Sequence, residues 1–197
     1  MQEKVTLRRS NKARSQDTTR KLLDAARSLF VEKGYAETGT PEIVKAAEVT
    51  RGALYHHYTD KADLFRAVVT HEAEAIAHEI NATALEATDP IDGLISGARG
   101  YFTAMQVPGR ARLMLVDGPA VLGADGMSEI DRKAGGESLK EGLAAAAAMA
   151  NKTDLPLDEL SVVLSAGFDR AALEITQGGD ANRFISSLEV LLRGLMR

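Results

Sequence analysis

The residues best suited to chemistry lie between Thr40 and Lys61, where the chain reads TPEIVKAAEVTRGALYHHYTDK. Arg51 offers a planar fork that matches a guanine edge or a phosphate, and Gly52 and Ala53 lack the bulk that would keep backbone away from a groove. Tyr55 presents a ring to a thymine methyl and a hydroxyl to a phosphate. His56 and His57 supply donors to phosphates or base edges, and Lys61 adds a point charge. Thr40 and Thr50, at expected helix starts, would place hydroxyls and free N–H groups where phosphate oxygens lie. This is the chemistry of reading a DNA duplex rather than of breaking a bond.

Two short helices must position those groups. Thr40-Pro41-Glu42 reads as a helix start, with Thr40 as cap, Pro41 in the first turn and Glu42 toward the helix dipole, and the helix runs to about Ala47. Glu48-Val49-Thr50 leaves room only for a tight turn. Thr50 caps the next helix, Arg51 to about His57. A helix, a turn of about three residues and a second helix make a helix-turn-helix unit, whose second helix enters the major groove. Ile43, Val44, Ala47, Val49, Leu54 and Tyr58 form its packing side, which leaves the Arg51, Tyr55, His56 and His57 side free.

Elsewhere the pattern is also helical. Residues 17–33 carry Leu22, Leu23, Ala26, Leu29 and Phe30 on one stripe, and Gly34 is placed to end that helix in left-handed geometry. Asp60-Lys61-Ala62-Asp63 resembles a capping box that opens a helix to about Ala84. Asp89-Pro90 opens another, which Pro108-Gly109 stops. A short helix over 110–116 is expected to break at Asp117-Gly118-Pro119. A long alanine-rich helix over 127–152, tolerating Gly135-Gly136, precedes helices at about 156–177 and 180–196. No alternation of period two is long enough for a strand, so the fold class is all-α.

Other candidate sites fall away on spacing. His71-Glu72 invites comparison with a zinc-protease helix, but position 75 is Ala, and His78 lies about 10 Å from His71 along the axis. No metal, no cofactor and no catalytic set of Ser, His and Asp is expected, so the chain is not read as an enzyme. Gly93, Gly97 and Gly100 leave a bare strip on one helix, read first as close helix packing. Phe102, Met105, Leu113, Met114 and Phe168 are the aromatic or adaptable residues that could line an apolar ligand pocket, or could be plain core.

The charge is divided. Residues 1–66 carry 13 Lys and Arg against 9 Asp and Glu, a net of +4, whereas the remaining residues carry −8. The whole 197-residue chain is therefore mildly acidic at −4, which argues against coating nucleic acid through bulk charge but fits a basic head with an anionic partner. The absence of cysteine removes disulfides, thiolate catalysis and zinc fingers, and suits a reducing compartment. Met1 to Lys12 has no apolar core of a secretory signal, and the longest apolar run, Leu143 to Ala150, is far short of the roughly 20 residues that span a bilayer. A cytoplasmic location without membrane attachment is expected. Lys4, Arg8, Arg9, Lys12 and Arg14 make residues 1–16 a flexible basic arm, either following the minor groove or solvated.

Residues 17–66 resemble the DNA-binding domain of the TetR family of bacterial transcriptional regulators. The likeness rests on Phe30-Val31-Glu32-Lys33-Gly34-Tyr35, Thr40 before Ile43, Ala46-Ala47-x-Val49-Thr50, Arg51-Gly52-Ala53-Leu54-Tyr55-His56-His57-Tyr58 and Lys61-x-x-Leu64-Phe65. One departure stands out: the family turn usually holds Gly where this chain has Glu48. The resemblance implies a helix-turn-helix domain over 17–62 and a helical ligand-binding and dimerisation domain over 63–197. It also implies a repressor released from a palindromic double-stranded operator by a small-molecule effector. The last two helices are apolar on more than one face, which a homodimer would bury, and the resemblance makes that interface a four-helix bundle. An activator, a non-inducible architectural DNA binder and a helical small-molecule-binding protein without DNA function are the alternatives.

Overall fold

The structure is a computed structural model that describes residues 2–84, 87, 89–134 and 138–197. Among the described residues ten α-helices follow one another: α1 (Gln2–Glu37), α2 (Thr40–Ala46), α3 (Arg51–His57), α4 (Lys61–Ala84), α5 (Pro90–Met105), α6 (Arg110–Arg112), α7 (Gly118–Ala134), α8 (Ser138–Met149), α9 (Leu157–Thr176) and α10 (Ala181–Leu195), with a π-helical turn at Leu113–Asp117 between α6 and α7. No strand occurs among the described residues.

Helices α1 to α3 and the first half of α4 form a head around Leu22, Phe30, Ile43, Leu54, Leu64 and Phe65, each with no exposed surface. Phe30 meets Phe65 edge-on at 5.0 Å between ring centroids, a geometry that aligns the positive ring edge with a negative face. The larger body has its own core, including Ile91, Phe102, Met105, Leu143, Leu164, Ile185 and Leu192. Helix α4 packs against α5, and of the three glycines expected to form a bare strip only Gly100 is tightly enclosed, a Cβ on Gly93 or Gly97 meeting its nearest neighbour at an ordinary 3.6 or 3.5 Å. A Cβ on Gly100 would lie 3.1 Å from both the Glu79 carbonyl oxygen and Ile80 Cα.

Three helices end in the same way, and the chemistry of that ending explains the turn at Glu48. At the ends of α2, α8 and α9 the chain closes a 6→1 and a 5→2 hydrogen bond: Val49 to Val44 with Glu48 to Lys45, Lys152 to Ala147 with Asn151 to Ala148, and Gly179 to Glu174 with Gly178 to Ile175. The motif needs a positive φ at the residue just past the helix. Gly178 takes φ 100°, Asn151 φ 53° and Glu48 φ 54°. Glycine and asparagine bear this readily, whereas a glutamate is strained by about 1–2 kcal/mol. Glu48→Gly is therefore expected to raise the melting temperature by about 2–4 °C, the glycine's extra unfolded freedom cancelling part of the relief. A scanning calorimetry trace showing no rise would refute this.

Several expectations are corrected. Residues 2–16, expected as a flexible arm, continue α1 as helix. They contain neither Gly nor Pro and are rich in Lys, Arg and Gln, which favour helix. Gly34 does end the regular part of α1, but at φ 82°, ψ 168° rather than in the left-handed helical well. Thr40 is already inside α2; the cap is Gly39, which makes no side-chain cap bond. Asp117-Gly118-Pro119 does not break the chain's helical course, because Pro119 falls in the first turn of α7, where its missing N–H costs nothing. The break comes at Gly123, φ 71°. The expected helix over 127–152 is divided between α7 and α8, and Gly135-Gly136 lies outside the described residues.

Candidate nucleic-acid interface

The second helix of the motif is held by its inner side. Leu54 is fully buried and Tyr58 nearly so, packed with Ile43 and Ala47 of the preceding helix. Thr50 caps α3 as expected, its hydroxyl oxygen accepting from the Ala53 N–H at 3.1 Å. Asp60 and Asp63 fix the start of α4, with Asp60 accepting from the Asp63 N–H at 2.8 Å and Asp63 from the Thr59 N–H at 2.9 Å. Local bonds of this kind aim α3 without relying on its own seven residues for stability.

The outer side gathers three of the expected residues into one cluster. The Arg51 guanidinium lies 5.5 Å from the centre of the Tyr55 ring, a cation–π distance. Thr40, across from α3, and Arg51 are the polar neighbours of the Tyr55 oxygen, and their influence, Thr40 foremost, holds its phenol below the ordinary tyrosine range. Arg51 forms no ion pair with any described residue. Gly52 and His56 are exposed beside it, and Ala53 is half-buried.

Two expected contacts are turned inward. His57 is half-buried, its Nδ1 3.4 Å from the Thr19 hydroxyl of α1. Lys61, expected to meet a phosphate, instead donates from Nζ to the Tyr35 and Thr38 carbonyls at 2.8 and 3.0 Å and lies 4.2 Å above the Tyr35 ring. It closes the carbonyl-rich end of α1, where a cation complements the helix dipole. Its charge still adds to the field of the head.

The residues considered for a ligand divide likewise. Phe102 and Met105 are buried in the body, Phe168 stands edge-on to Phe102 at 6.2 Å, and Met114 packs at the border of the two cores. Leu113 is the exception, since it is buried among head residues. Beside Phe168, Tyr101 donates to Asp169 at 2.6 Å. Burial pushes the Asp169 carboxyl up, with the Tyr101 bond opposing and Asp131 assisting.

Sequence reasoning missed the largest buried polar feature. Glu72, dismissed as half of a metal motif, is 3% exposed and accepts from Arg27 Nε of α1 and Arg110 Nε of α6, both at 2.7 Å. Arg27 also donates to the Pro108 carbonyl at 3.2 Å, and Arg110 Nη1 to Glu79 at 3.1 Å and the Ala104 carbonyl at 2.8 Å. Burial alone would raise the Glu72 carboxyl, but the two guanidiniums outweigh it and hold it below the usual range. The signal was present: Glu72 falls at helical spacing within the core stripe Phe65, Val68, Val69, Ala73 and Ile76, where an acid must find cations.

A helix-turn-helix whose inner face is packed and whose outer face carries exposed Arg, Tyr and His, mounted on a helical body, defines the class of helix-turn-helix transcriptional regulators. Residues 22–68 match the model of bacterial regulatory proteins of the tetR family, and residues 91–196 the tetracyclin repressor-like C-terminal domain. The chain belongs to the TetR family. The regulator AcrR of Shigella flexneri is 49% identical over 57 residues, 29% of this chain and 26% of that one. TtgR of Pseudomonas putida is 36% identical over 86 residues, 44% of this chain and 40% of that one. The chain thus matches well under half the length of these curated relatives. A TetR-family regulator from Pectobacterium atrosepticum is similar over nearly the whole fold, with TM-score 0.69, 29% identity and coverage of 94% and 95%. The fatty acid degradation regulator FadR of Bacillus halodurans shares the fold at TM-score 0.75, with 19% identity and coverage of 88% and 93%. No described helix is long and apolar enough to cross a membrane.

Proposed function

We propose that two copies of this chain bind a palindromic operator through α3 and repress transcription until a small molecule enters the body and releases them. The carrying observation is the exposed Arg51 and Tyr55 of α3, with half-buried Thr40 of α2 beside them, on a helix fixed from behind. In this reading Arg51 contacts a base edge or phosphate, and Tyr55, His56, Thr40 and Thr50 add phosphate and groove contacts, with Gly52 and Ala53 allowing close approach. His57 and Lys61 act mainly by holding α3 and the end of α1 in place. The head comprises residues 17–62 and the body 63–197, although Leu64, Phe65, Val68 and Val69 of α4 complete the head core. Phe102, Met105, Met114 and Phe168 surround the effector. Leu113 serves the joint between the two parts.

The dimer forms through α9 and α10, whose outer faces leave Val162, Val163, Val190 and Leu191 in solvent. A two-fold pair would space its α3 helices by one turn of DNA, roughly 34 Å, or a multiple of it. Selection of bound duplexes from a random pool tests the reading. The expected product is one palindrome with a fixed half-site spacing. Recovery of duplexes sharing no sequence, at any salt concentration, would overturn it.

A further inference from the structure

Helix α4 is the covalent link between head and body, but the segment from Pro108 to Asp117 makes a second attachment that crosses back onto α1. Its Pro108 carbonyl accepts from Arg27. Gly109, at φ 78°, lies so close to α1 that a Cβ there would fall 2.9 Å from Val31 Cβ and closer still to its methyls. The Arg112 guanidinium reaches Gly34, and Leu113 inserts into the head core. Glu72 of α4 sits at the centre, gripped by Arg27 from the head side and Arg110 from the body side.

The arrangement is directional in a way that apolar packing is not. Arg27 Nε donates to Glu72 Oε1 at 2.7 Å and Arg110 Nε to Oε2 at 2.7 Å, with Arg27 Nη2 also 3.4 Å from Oε2, so a small rotation of α1 against α4 takes one of two guanidiniums from a carboxylate that is only 3% exposed. Apolar residues of the same volume would hold the helices as firmly, yet tolerate sliding. The other hand of Arg110 holds the Ala104 carbonyl, which lies between Phe102 and Met105 in α5. A displacement of α5 by a body ligand would therefore pull directly on the group that grips Glu72.

Building on the operator and effector reading above, we propose that Arg27, Glu72 and Arg110 form a latch that sets the orientation of the head on the body. Closed, it holds the two α3 helices at the operator spacing; a ligand that shifts α5 opens it through Arg110, and the head then swings on α4. These three are positioning residues: none belongs to the face that meets DNA.

Arg27→Gln in the full chain tests the latch, because Arg27 sits at the rim while the Glu72–Arg110 pair stays intact. Two readouts are taken, hydrogen exchange of the protein alone and affinity for operators whose half-site spacing is changed by one or two base pairs. In the variant, amides of α1 to α3 are expected to exchange about tenfold faster or more, with those of α8 to α10 unchanged. The wild type should lose about tenfold in affinity per base pair of altered spacing, and the variant no more than about threefold. Arg27→Lys should lie between them. Unchanged exchange in Arg27→Gln overturns the latch, and so does a loosened head that keeps strict spacing, since the joint would then be mere packing. If the wild type selects no palindrome, the operator reading fails by itself and the exchange result alone decides the latch.

Discussion

A dimer carrying Arg51→Ala is expected to lose about two to four orders of magnitude in operator affinity while its melting temperature stays unchanged. The size follows from symmetry. One good bidentate contact is worth about 1–3 kcal/mol of discrimination, and a two-fold complex contains it twice. The fold should not notice, because Arg51 is exposed and forms no ion pair among the described residues. Tyr55→Ala should act in the same direction for a different reason. Its ring is the flat surface beside which Arg51 lies, and its hydroxyl is set between the polar groups of Arg51 and Thr40 that lower its phenol. Removing it deletes a groove contact and also frees the Arg51 side chain. The two losses should therefore be less than additive when combined. Binding isotherms at one fixed salt concentration decide the matter, and a folded Arg51→Ala protein with wild-type affinity would remove the DNA-facing role of α3.

The parts legible in the sequence are those ruled by neighbours. Thr50 could be read as a cap because its partner, Ala53, is three residues away, and the strain at Glu48 because a turn of that length closes on itself whatever surrounds it. The same holds for the stripe that buries Ile43 and Leu54 and so exposes Arg51 and Tyr55. The burial of Glu72 could be read from its stripe, but its partners could not, because they are 45 residues upstream and 38 downstream. Nothing local pairs an acid with arginines so far off, and its neighbour His71 drew attention to a metal instead. Lys61 failed similarly: its carbonyl partners lie 26 and 23 residues earlier, so a free charge on a surface helix and a cap on another helix look alike from sequence. Leu113 reads as body by position, but the segment that carries it crosses back onto α1 and its side chain lies in the head core. The candidate effector residues were chosen as aromatic or flexible types, which marks apolar surroundings but does not separate pocket wall from core.

Leu191→Glu is expected to turn the dimer into a folded monomer and, with it, to abolish palindrome binding. Val162, Val163, Val190 and Leu191 are between 56% and 73% exposed in the single chain, on the outer faces of adjacent helices. Each contributes about 1.5–3 kcal/mol when buried in an interface, and a two-fold pair counts each twice. A glutamate at 191 deletes two such contributions and brings two unpaired carboxylates into the seam. The inner side of α10, with Ile185, Leu188 and Leu192, is untouched, so circular dichroism should stay helical while sedimentation reports half the mass. The consequence for DNA is steep because affinity is shared between two heads. If the dimer binds at about 10⁻⁸–10⁻¹¹ M, one head retains about half that free energy and falls to the level of non-specific binding, a loss of at least about a thousandfold. Charge gives an independent check. With −8 on residues 67–197 and +4 on residues 1–66 of each chain, added salt should strengthen body-to-body association and weaken contact of the N-terminal part with DNA, so the two equilibria should move oppositely along one salt series. A Leu191→Glu protein that sediments as a dimer would place the interface on another face, and one that is monomeric yet binds the palindrome at wild-type affinity would show that the second head is dispensable.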